Sequence, residues 1–275
     1  MTPITMTPIK LTAGAALCAA ALALPAAAAA QTSDQWQFGL TLYGYFPEVS
    51  GTSRFPQSGS TPSVDVKVDD LLDLKFAFMG TFEARKGRWG AFTDFMYLDV
   101  GDSKSDARDF AIGGAPIPGT ASVDVDYDLK GLVWTIAGEY NVVSNPSSTM
   151  DVFAGARLVD LEQDVSWNVT GNIGTIPLPG RSGSSNASRS NWDGIIGVKG
   201  RLRFGAENRW FVPYYLDVGT GQSDFTWQAM TGLGYSWGWG DILAAWRYLD
   251  YDMGEGKPFT DLSLNGPAVA VVFRW

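Results

Sequence analysis

Apolar and polar residues alternate along most of the chain from residue 36 onward, and this period of two is typical of β-strands with two different faces. The alternation is clearest at 192–204, where one face is apolar and the other is charged. The charged face of that run consists of Asp193, Lys199, Arg201 and Arg203. Runs of the same kind predict further strands at 36–46, 72–85, 89–100, 122–140, 150–170, 210–218, 225–237 and 241–251.

A last run closes the chain and ends on the tripeptide Phe273-Arg274-Trp275. Counting back from Trp275, one register is apolar throughout and consists of Phe273, Val271, Val269 and Pro267. A strand with an apolar face and a terminal aromatic residue resembles the closing strand of Gram-negative outer-membrane β-barrel proteins, and the chain is similar to the small OmpA-like and porin-like barrels. In that superfamily the barrel-assembly machinery reads the terminal aromatic residue and its alternate apolar partners. The resemblance therefore implies that Phe273 and Trp275 form the assembly signal.

The connections between the predicted strands alternate in length. Short turns are predicted at 87–88, 144–148, 205–208 and 238–240, and longer connections rich in Gly, Ser, Pro and Asp at 47–70, 101–120, 171–190 and 253–259. The connection at 219–223 is short and breaks this alternation. Together these patterns predict an all-β fold, an antiparallel up-and-down transmembrane β-barrel of about ten strands, within a range of eight to twelve, with both termini periplasmic.

Tryptophans mark the periplasmic ends of the predicted strands, a depth that suits an apolar ring with one polar N–H. They are Trp36, Trp89, Trp210, Trp237, Trp239 and Trp275. A soluble β-protein with core aromatics is the alternative, but it gives no reason for the aromatic carboxy terminus. The runs at 122–140 and 150–170 exceed the roughly 9–11 residues that cross a bilayer. We expect them to project beyond the outer leaflet as an acidic rim, although the Ser/Gly-rich segment 183–189 also has the composition of a disordered loop.

The first thirty residues are typical of a secretory signal peptide. Lys10 precedes an apolar stretch at 11–24, and Pro25 then leads into an alanine-rich cleavage region. A membrane anchor is the alternative, but the stretch is shorter than the roughly 20 residues of a spanning helix. Cys18 follows the large residue Leu17, which does not suit a lipoprotein cleavage site. The sequence therefore predicts a signal peptide at 1–30 and a single barrel domain at 31–275.

Composition excludes several chemistries. The sequence contains no histidine, and its single cysteine, Cys18, lies in the predicted signal peptide. The mature chain is therefore not expected to form disulfides, thiolate zinc sites or Ser-His-Asp triads. Removing Lys10 with the signal peptide leaves 19 of the 20 basic side chains against 29 acidic ones, a net charge of −10. This charge argues against nucleic acid as a partner.

An enzymatic role is not predicted. Some ten-stranded outer-membrane barrels of similar size are proteases with Asp and His catalytic pairs, and this sequence has no histidine. The aspartate runs at 65–73 and 124–128 have two interpretations, because hard cations prefer oxygen ligands. They form either a solvated rim or a place where Ca²⁺ binds or bridges lipopolysaccharide. The solvated rim is preferred, so no metal or cofactor is predicted.

With lipid outside, the charged register of each strand must face the lumen. The candidate lumen-lining residues are Lys75, Glu83, Arg85, Asp94, Glu139, Arg157, Lys199, Arg201, Arg203, Asp217 and Arg247. A barrel of about ten strands is close to the size that side chains fill, so these residues are expected to form salt bridges. A basic stripe of Lys199, Arg201 and Arg203 is the alternative, and it would attract small anions.

These observations predict an integral protein of the cell outer membrane with a structural or surface-interaction role and a filled lumen. The alternative is a narrow channel for small, anionic solutes. The expected partners are outer-membrane lipid, lipopolysaccharide and, during biogenesis, the barrel-assembly machinery. The sequence leaves the oligomeric state open.

Overall fold

The computed structural model describes residues 34–54, 65–67, 73–105, 121–173, 176–177, 181–254 and 259–275. The predicted signal peptide lies outside these ranges, as do the side chains of the aspartate run 65–73. Ten strands form the barrel: β1 (Trp36–Tyr45), β4 (Asp73–Lys86), β5 (Trp89–Ser105), β6 (Ala121–Asn145), β7 (Ser148–Ile173), β9 (Arg181–Phe204), β10 (Trp210–Gly221), β11 (Phe225–Ser236), β12 (Gly240–Asp252) and β13 (Phe259–Arg274). Three short strands accompany them: β2 (Glu48–Arg54), β3 (Asp65–Lys67) and β8 (Ile176–Pro177).

The sheet closes because β1 pairs with β4 on one side and with β13 on the other, both antiparallel. Leu42, for example, lies opposite Gly80 of β4 and Val271 of β13. At the end of this seam Phe38 N donates to Trp275 O at 2.9 Å, and Trp275 N donates to Phe38 O at 3.2 Å. Closure satisfies the backbone groups that an edge strand would leave unpaired. The predicted ten-stranded antiparallel barrel is confirmed.

The two faces of each strand differ as the alternation predicts. On β9, Ile196 is 63% exposed on the outer wall, whereas the adjacent Ile195 is 4% exposed and faces the interior. Large apolar side chains are exposed all around the outer wall, including Phe78, Leu216 and Trp246. A continuous exposed apolar surface of this kind is typical of contact with lipid or with another protein.

Both termini of the barrel lie at one end, together with the short turns at 87–88, 146–147, 205–209 and 237–239. We call this the terminal end and the opposite one the distal end. The structure places the predicted interfacial tryptophans at the terminal end with their rings exposed: Trp36, Trp89, Trp210, Trp237, Trp239 and Trp275. Among the described residues, no α-helix is long and apolar enough to cross a membrane.

At the distal end the strands run further than the sequence indicated. β6, β7 and β9 contain 25, 26 and 24 residues. The prediction of a loop at 171–190 is wrong from Arg181 onward, because β9 already pairs with β7 there in an unbroken register from Val169↔Arg181. The Ser/Gly-rich segment 183–189 is thus strand, since β7 supplies a backbone ladder that its composition does not reveal. β2 and β3 likewise fall inside the predicted loop 47–70.

The interior of the distal half is largely apolar, although a few buried polar side chains, among them Gln163 and Asn191, also lie there. Buried side chains from eight strands pack against one another across the lumen, and we call this cluster the apolar plug. It consists of Tyr45, Met79, Met96, Leu98, Leu129, Val133, Val159, Leu161, Val165, Ala187, Leu249, Tyr251, Met253, Leu262, Leu264 and Ala268. The cavity described within it measures about 30 Å³, about the volume of a water molecule. In the other half of the lumen, most of the inward-facing charged side chains line a cavity.

Candidate functional site: a polar cavity at the terminal end

Strand alternation turns the predicted charged residues inward. The structure places in the interior Glu83, Arg85, Asp94, Glu139, Arg157, Lys199, Arg201, Arg203, Asp217 and Arg247. Lys75 lies on β4, but its side chain is outside the described part of the chain. Because the barrel is narrow, these side chains meet across it and form four groups at different heights.

The first group joins two cations to three carboxylates. Arg85 Nη2 lies 2.7 Å from Glu139 Oε1, and its Nη1 lies 2.8 Å from Asp151 Oδ1. Lys199 Nζ lies 2.6 Å from Glu83 Oε2 and 2.7 Å from Glu139 Oε2. These residues come from β4, β6, β7 and β9, so the group ties four strands together inside the lumen.

The second group surrounds Arg247 of β12. Its Nη2 lies 3.1 Å from Asp94 Oδ2 and donates to Gln228 Oε1 at 3.0 Å, while Nη1 donates to Tyr43 OH at 3.0 Å. Tyr43 OH in turn donates to Asp94 Oδ1 at 2.9 Å, and Thr81 Oγ1 donates to the same atom at 2.6 Å. A guanidinium with this many partners is held in one orientation.

The third group is the pair of Arg157 and Asp217, whose side chains are fully buried. Arg157 Nη1 donates to Asp217 Oδ1 at 3.0 Å, and Arg157 Nε donates to Thr135 Oγ1 at 3.2 Å. Taking two charges out of water is costly unless their geometry is good and their remaining hydrogen-bonding groups are satisfied. The pair meets that condition with two well-placed partners for the guanidinium.

The fourth group lies nearest the terminal end, and we call it the mouth cluster: Arg201, Arg203, Asp241 and Arg274. Arg201 Nη1 lies 2.8 Å from Asp241 Oδ2, and Arg274 Nη1 donates to Asp241 Oδ1 at 3.1 Å. Arg201 also lies over the ring of Phe211, with its Cζ 4.9 Å from the ring centroid. Asp241 itself is buried, with 1% of its surface exposed. One carboxylate thus positions two of the three guanidiniums.

A cavity of about 520 Å³ occupies this half of the lumen. At the terminal end its wall includes the turn residue Gly87, Ser144 near the end of β6, and the arginines of the mouth cluster. Toward the distal end the cavity stops at the level of Arg247, where the apolar plug begins. In the described residues the cavity is therefore a vestibule that opens at one end and is closed at the other.

The charges around this cavity are unevenly distributed. The first two groups contain three cations and four carboxylates, whereas the mouth cluster contains three arginines and one carboxylate. The mouth therefore carries an excess of positive charge. Among the described residues no group of three or more His, Cys, Asp and Glu side chains is placed to hold a metal ion. Binding of an anion is the chemistry for which this arrangement is best equipped.

Several residues of the site were not among the sequence-based candidates. Asp151, Asp241, Arg274 and Tyr43 all face the lumen and make contacts that hold the groups together. For Asp151 and Arg274 the alternation was the available signal, because Asp151 shares its register with Arg157, and Arg274 lies opposite in register to Phe273. Their partners, however, follow only from the closed barrel.

Comparisons with known proteins show a fold and not a family. No protein-family model and no curated protein matches the sequence. Among solved structures, the outer membrane protease OmpT from Escherichia coli is similar with a TM-score of 0.54 and 8% identity, over 90% of this chain and 98% of that one. At this identity the likeness shows only that the two chains share an outer-membrane barrel fold.

Two other outer-membrane barrels are similar more weakly. The translocator domain of the autotransporter NalP from Neisseria meningitidis matches with a TM-score of 0.34 and 14% identity, over 88% of this chain and 90% of that one. A Pseudomonas aeruginosa FadL homologue matches with a TM-score of 0.27 and 9% identity, over 88% of this chain and 89% of that one. The closer assignment to OmpA-like or porin-like barrels stays a prediction.

Proposed function

We propose that this chain is an integral protein of the bacterial outer membrane, that it contributes to envelope structure or to surface interactions, and that its lumen is filled. The exposed apolar outer wall and the tryptophans at the terminal end support a membrane location. The terminal end then faces the periplasm, because short turns and both termini lie at the periplasmic side of such barrels. The distal end faces outward.

The observation that carries the filled lumen is the apolar plug. Met96 and Leu249 approach from strands on different sides of the barrel and are 1% and 0% exposed. An ion that crossed this layer would lose its hydration among mostly apolar side chains, which costs several kcal/mol even for one polar group. The buried Arg157–Asp217 pair adds a second obstruction to the lumen.

The distal extensions of β6, β7 and β9 support a role at the cell surface. A span of about 9–11 residues suffices to cross the bilayer, so more than half of each strand remains to project outward. On the outer face of this projection Asp160, Glu162 and Asp164 are exposed. Outer-membrane lipid and lipopolysaccharide would surround the wall, and the assembly machinery would act on the strand that ends in Phe273 and Trp275.

The proposed role is not enzymatic, although one structural neighbour is a protease. The sequence contains no histidine to act as a general base. The interior carboxylates Glu83, Asp94 and Asp217 are each engaged by a lysine or an arginine. Such pairing suits structural ion pairs better than proton transfer.

A second candidate function is a narrow channel for small anions. It is favoured by the vestibule of about 520 Å³ and by the arginines at its mouth. In this case the apolar plug would have to rearrange during conduction.

Single-channel recording of the mature protein in a planar bilayer separates the two functions. A filled barrel is expected to insert stably and to give no discrete conductance steps. Reproducible anion-selective steps would reject the filled lumen and favour the channel. Insertion is checked independently by protease protection of the reconstituted protein, so that silence is not mistaken for failure to insert.

A further inference from the structure

The mouth cluster contains three arginines but only one carboxylate to pair with them. Arg201 and Arg274 share the single carboxylate of Asp241. Arg203, two residues further along β9 toward the turn, forms no direct ion pair among the described residues. Since arginine remains charged at any physiological pH, the cluster carries a net positive charge at the opening of the cavity.

We propose that Arg201, Arg203 and Arg274 form a binding site for small organic anions bearing carboxylate or phosphate groups, and that this site is entered from the periplasm. The guanidinium group presents up to five N–H donors in a planar fork, which fits both carboxylate and phosphate oxygens in a bidentate manner. Lysine would offer only a point charge, so the choice of three arginines favours this ligand chemistry.

Two of the three arginines, Arg201 and Arg274, are held in place before a ligand binds. Asp241 of β12 forms ion pairs with Arg201 and Arg274. The ring of Phe211 packs against the guanidinium of Arg201. Phe211 is itself 1% exposed, so this support is rigid. Because these two side chains are already ordered, they lose little side-chain entropy when a ligand binds.

The cavity is large enough for such a ligand and would retain it. Its volume of about 520 Å³ lies within the roughly 300–1,000 Å³ of small-molecule sites. Thr149, Gln37 and Ser144 line it near the mouth and add neutral polar groups. Because the Arg247 level and the apolar plug close the other end, an anion that enters from the mouth stays in the vestibule.

Direct binding tests the site on the purified protein in detergent micelles. Inorganic phosphate and malonate are titrated separately by calorimetry at low ionic strength, so that the two anion chemistries are distinguished. We expect at least one of them to bind and Arg203→Gln to weaken that binding about tenfold, as expected for the loss of charge-assisted hydrogen bonds. Arg203→Lys should restore part of the affinity, because it returns the charge without the fork.

The matched control is Arg209→Gln, which removes an arginine on the neighbouring turn that pairs with Glu207 outside the cavity at 2.6 Å. It should leave binding unchanged. Failure of wild-type protein to bind either anion would overturn the proposal, as would equal weakening by the two glutamine variants, which would indicate general surface electrostatics. A variant is compared only after its resistance to unfolding in a gel-mobility assay matches that of the wild type.

Access from the periplasm rests on the proposed orientation and has its own test. Thr149→Cys places one reactive thiol in the cavity, because the single cysteine of the sequence, Cys18, lies in the predicted signal peptide. A membrane-impermeant anionic thiol reagent should label it only after the outer membrane is permeabilised, and faster than a cationic reagent of similar size. Labelling on intact cells would reject the orientation, whereas loss of the anion preference alone would reject the site.

Discussion

Arg157 of β7 and Asp217 of β10 form a buried ion pair, although β9 lies between their strands. In register, Arg157 faces Asp193 of β9 and Asp217 faces Gly197 of the same strand. The absence of a side chain at Gly197 is required here, because a Cβ would lie 2.8 Å from the Asp217 Cβ and 2.5 Å from the Phe153 ring. The pair therefore spans β9, and its Asp217 end lies beside a position of β9 that has no side chain.

Breaking this pair should strongly destabilise the barrel. Asp217→Asn leaves the Arg157 charge buried without its counterion and is expected to lower the free energy of unfolding by about 3–5 kcal/mol. Arg157→Met combined with Asp217→Leu removes both charges, and the free energy of unfolding of this double variant should be much closer to that of the wild type. Urea unfolding in detergent micelles measures both effects. A single variant as stable as the wild type would show that the lumen is more hydrated than its burial indicates.

Conductance should depend on the closed end of the cavity and not on its mouth. Arg201→Ala with Arg203→Ala widens the vestibule but leaves the apolar plug intact, so the barrel should remain silent in a planar bilayer. Arg247→Ala with Leu249→Ala removes side chains from the level where the cavity ends and should produce small conductance steps. If the Arg201→Ala, Arg203→Ala variant conducted and the Arg247→Ala, Leu249→Ala variant did not, the constriction would lie at the mouth of the cavity.

The face of each residue could be predicted from the sequence because the alternation of side chains is a local property of a strand. Phe92 and Met96 are apolar, but they share the inward face of β5 with Asp94. In the structure Phe92 lies under Lys199, with Nζ 4.1 Å from its ring centroid, and Met96 belongs to the apolar plug. Of these two inward apolar residues, Met96 fills the lumen, whereas Phe92 lines the cavity.

The partners across the lumen could not be predicted in the same way. Which lumen-facing residues of different strands lie at the same level depends on the stagger between the strands and on the closure of the barrel. Both are properties of the whole sheet. The sequence predicts salt bridges for Lys199 and Arg201, with a shared basic stripe as the alternative, but it does not identify their partners. In the structure the two residues belong to different ion-pair groups. The polar start of β9 was missed because its strand structure depends on pairing with β7.

Gly234 should be intolerant of any side chain. A Cβ at this position would lie 2.2 Å from Cζ of the buried Phe211 ring. Gly234→Ala is therefore expected to cost about 1–3 kcal/mol of unfolding free energy, as overpacking usually does. Gly138→Ala is the matched control, since a Cβ there meets nothing within 4 Å. Thermal unfolding followed by gel mobility compares them; equal stability of the two variants would mean that the Phe211 ring can move aside.

The carboxy-terminal tryptophan should affect assembly in cells more than stability. Trp275 is 64% exposed, and its ring stacks on Phe38 at 5.9 Å between centroids, so its removal leaves no buried cavity. We expect Trp275→Ala to reduce severalfold the amount of folded barrel in the outer membrane, because the terminal aromatic residue is the proposed assembly signal. Refolding of the same variant into detergent micelles should stay close to that of the wild type.

Trp239→Ala, which removes another exposed tryptophan of the terminal end, is the control and should leave cellular levels nearly unchanged. If the two variants reduce the cellular amount of folded barrel equally, the carboxy-terminal position has no special role. The effect would then belong to the exposed tryptophans of the terminal end in general.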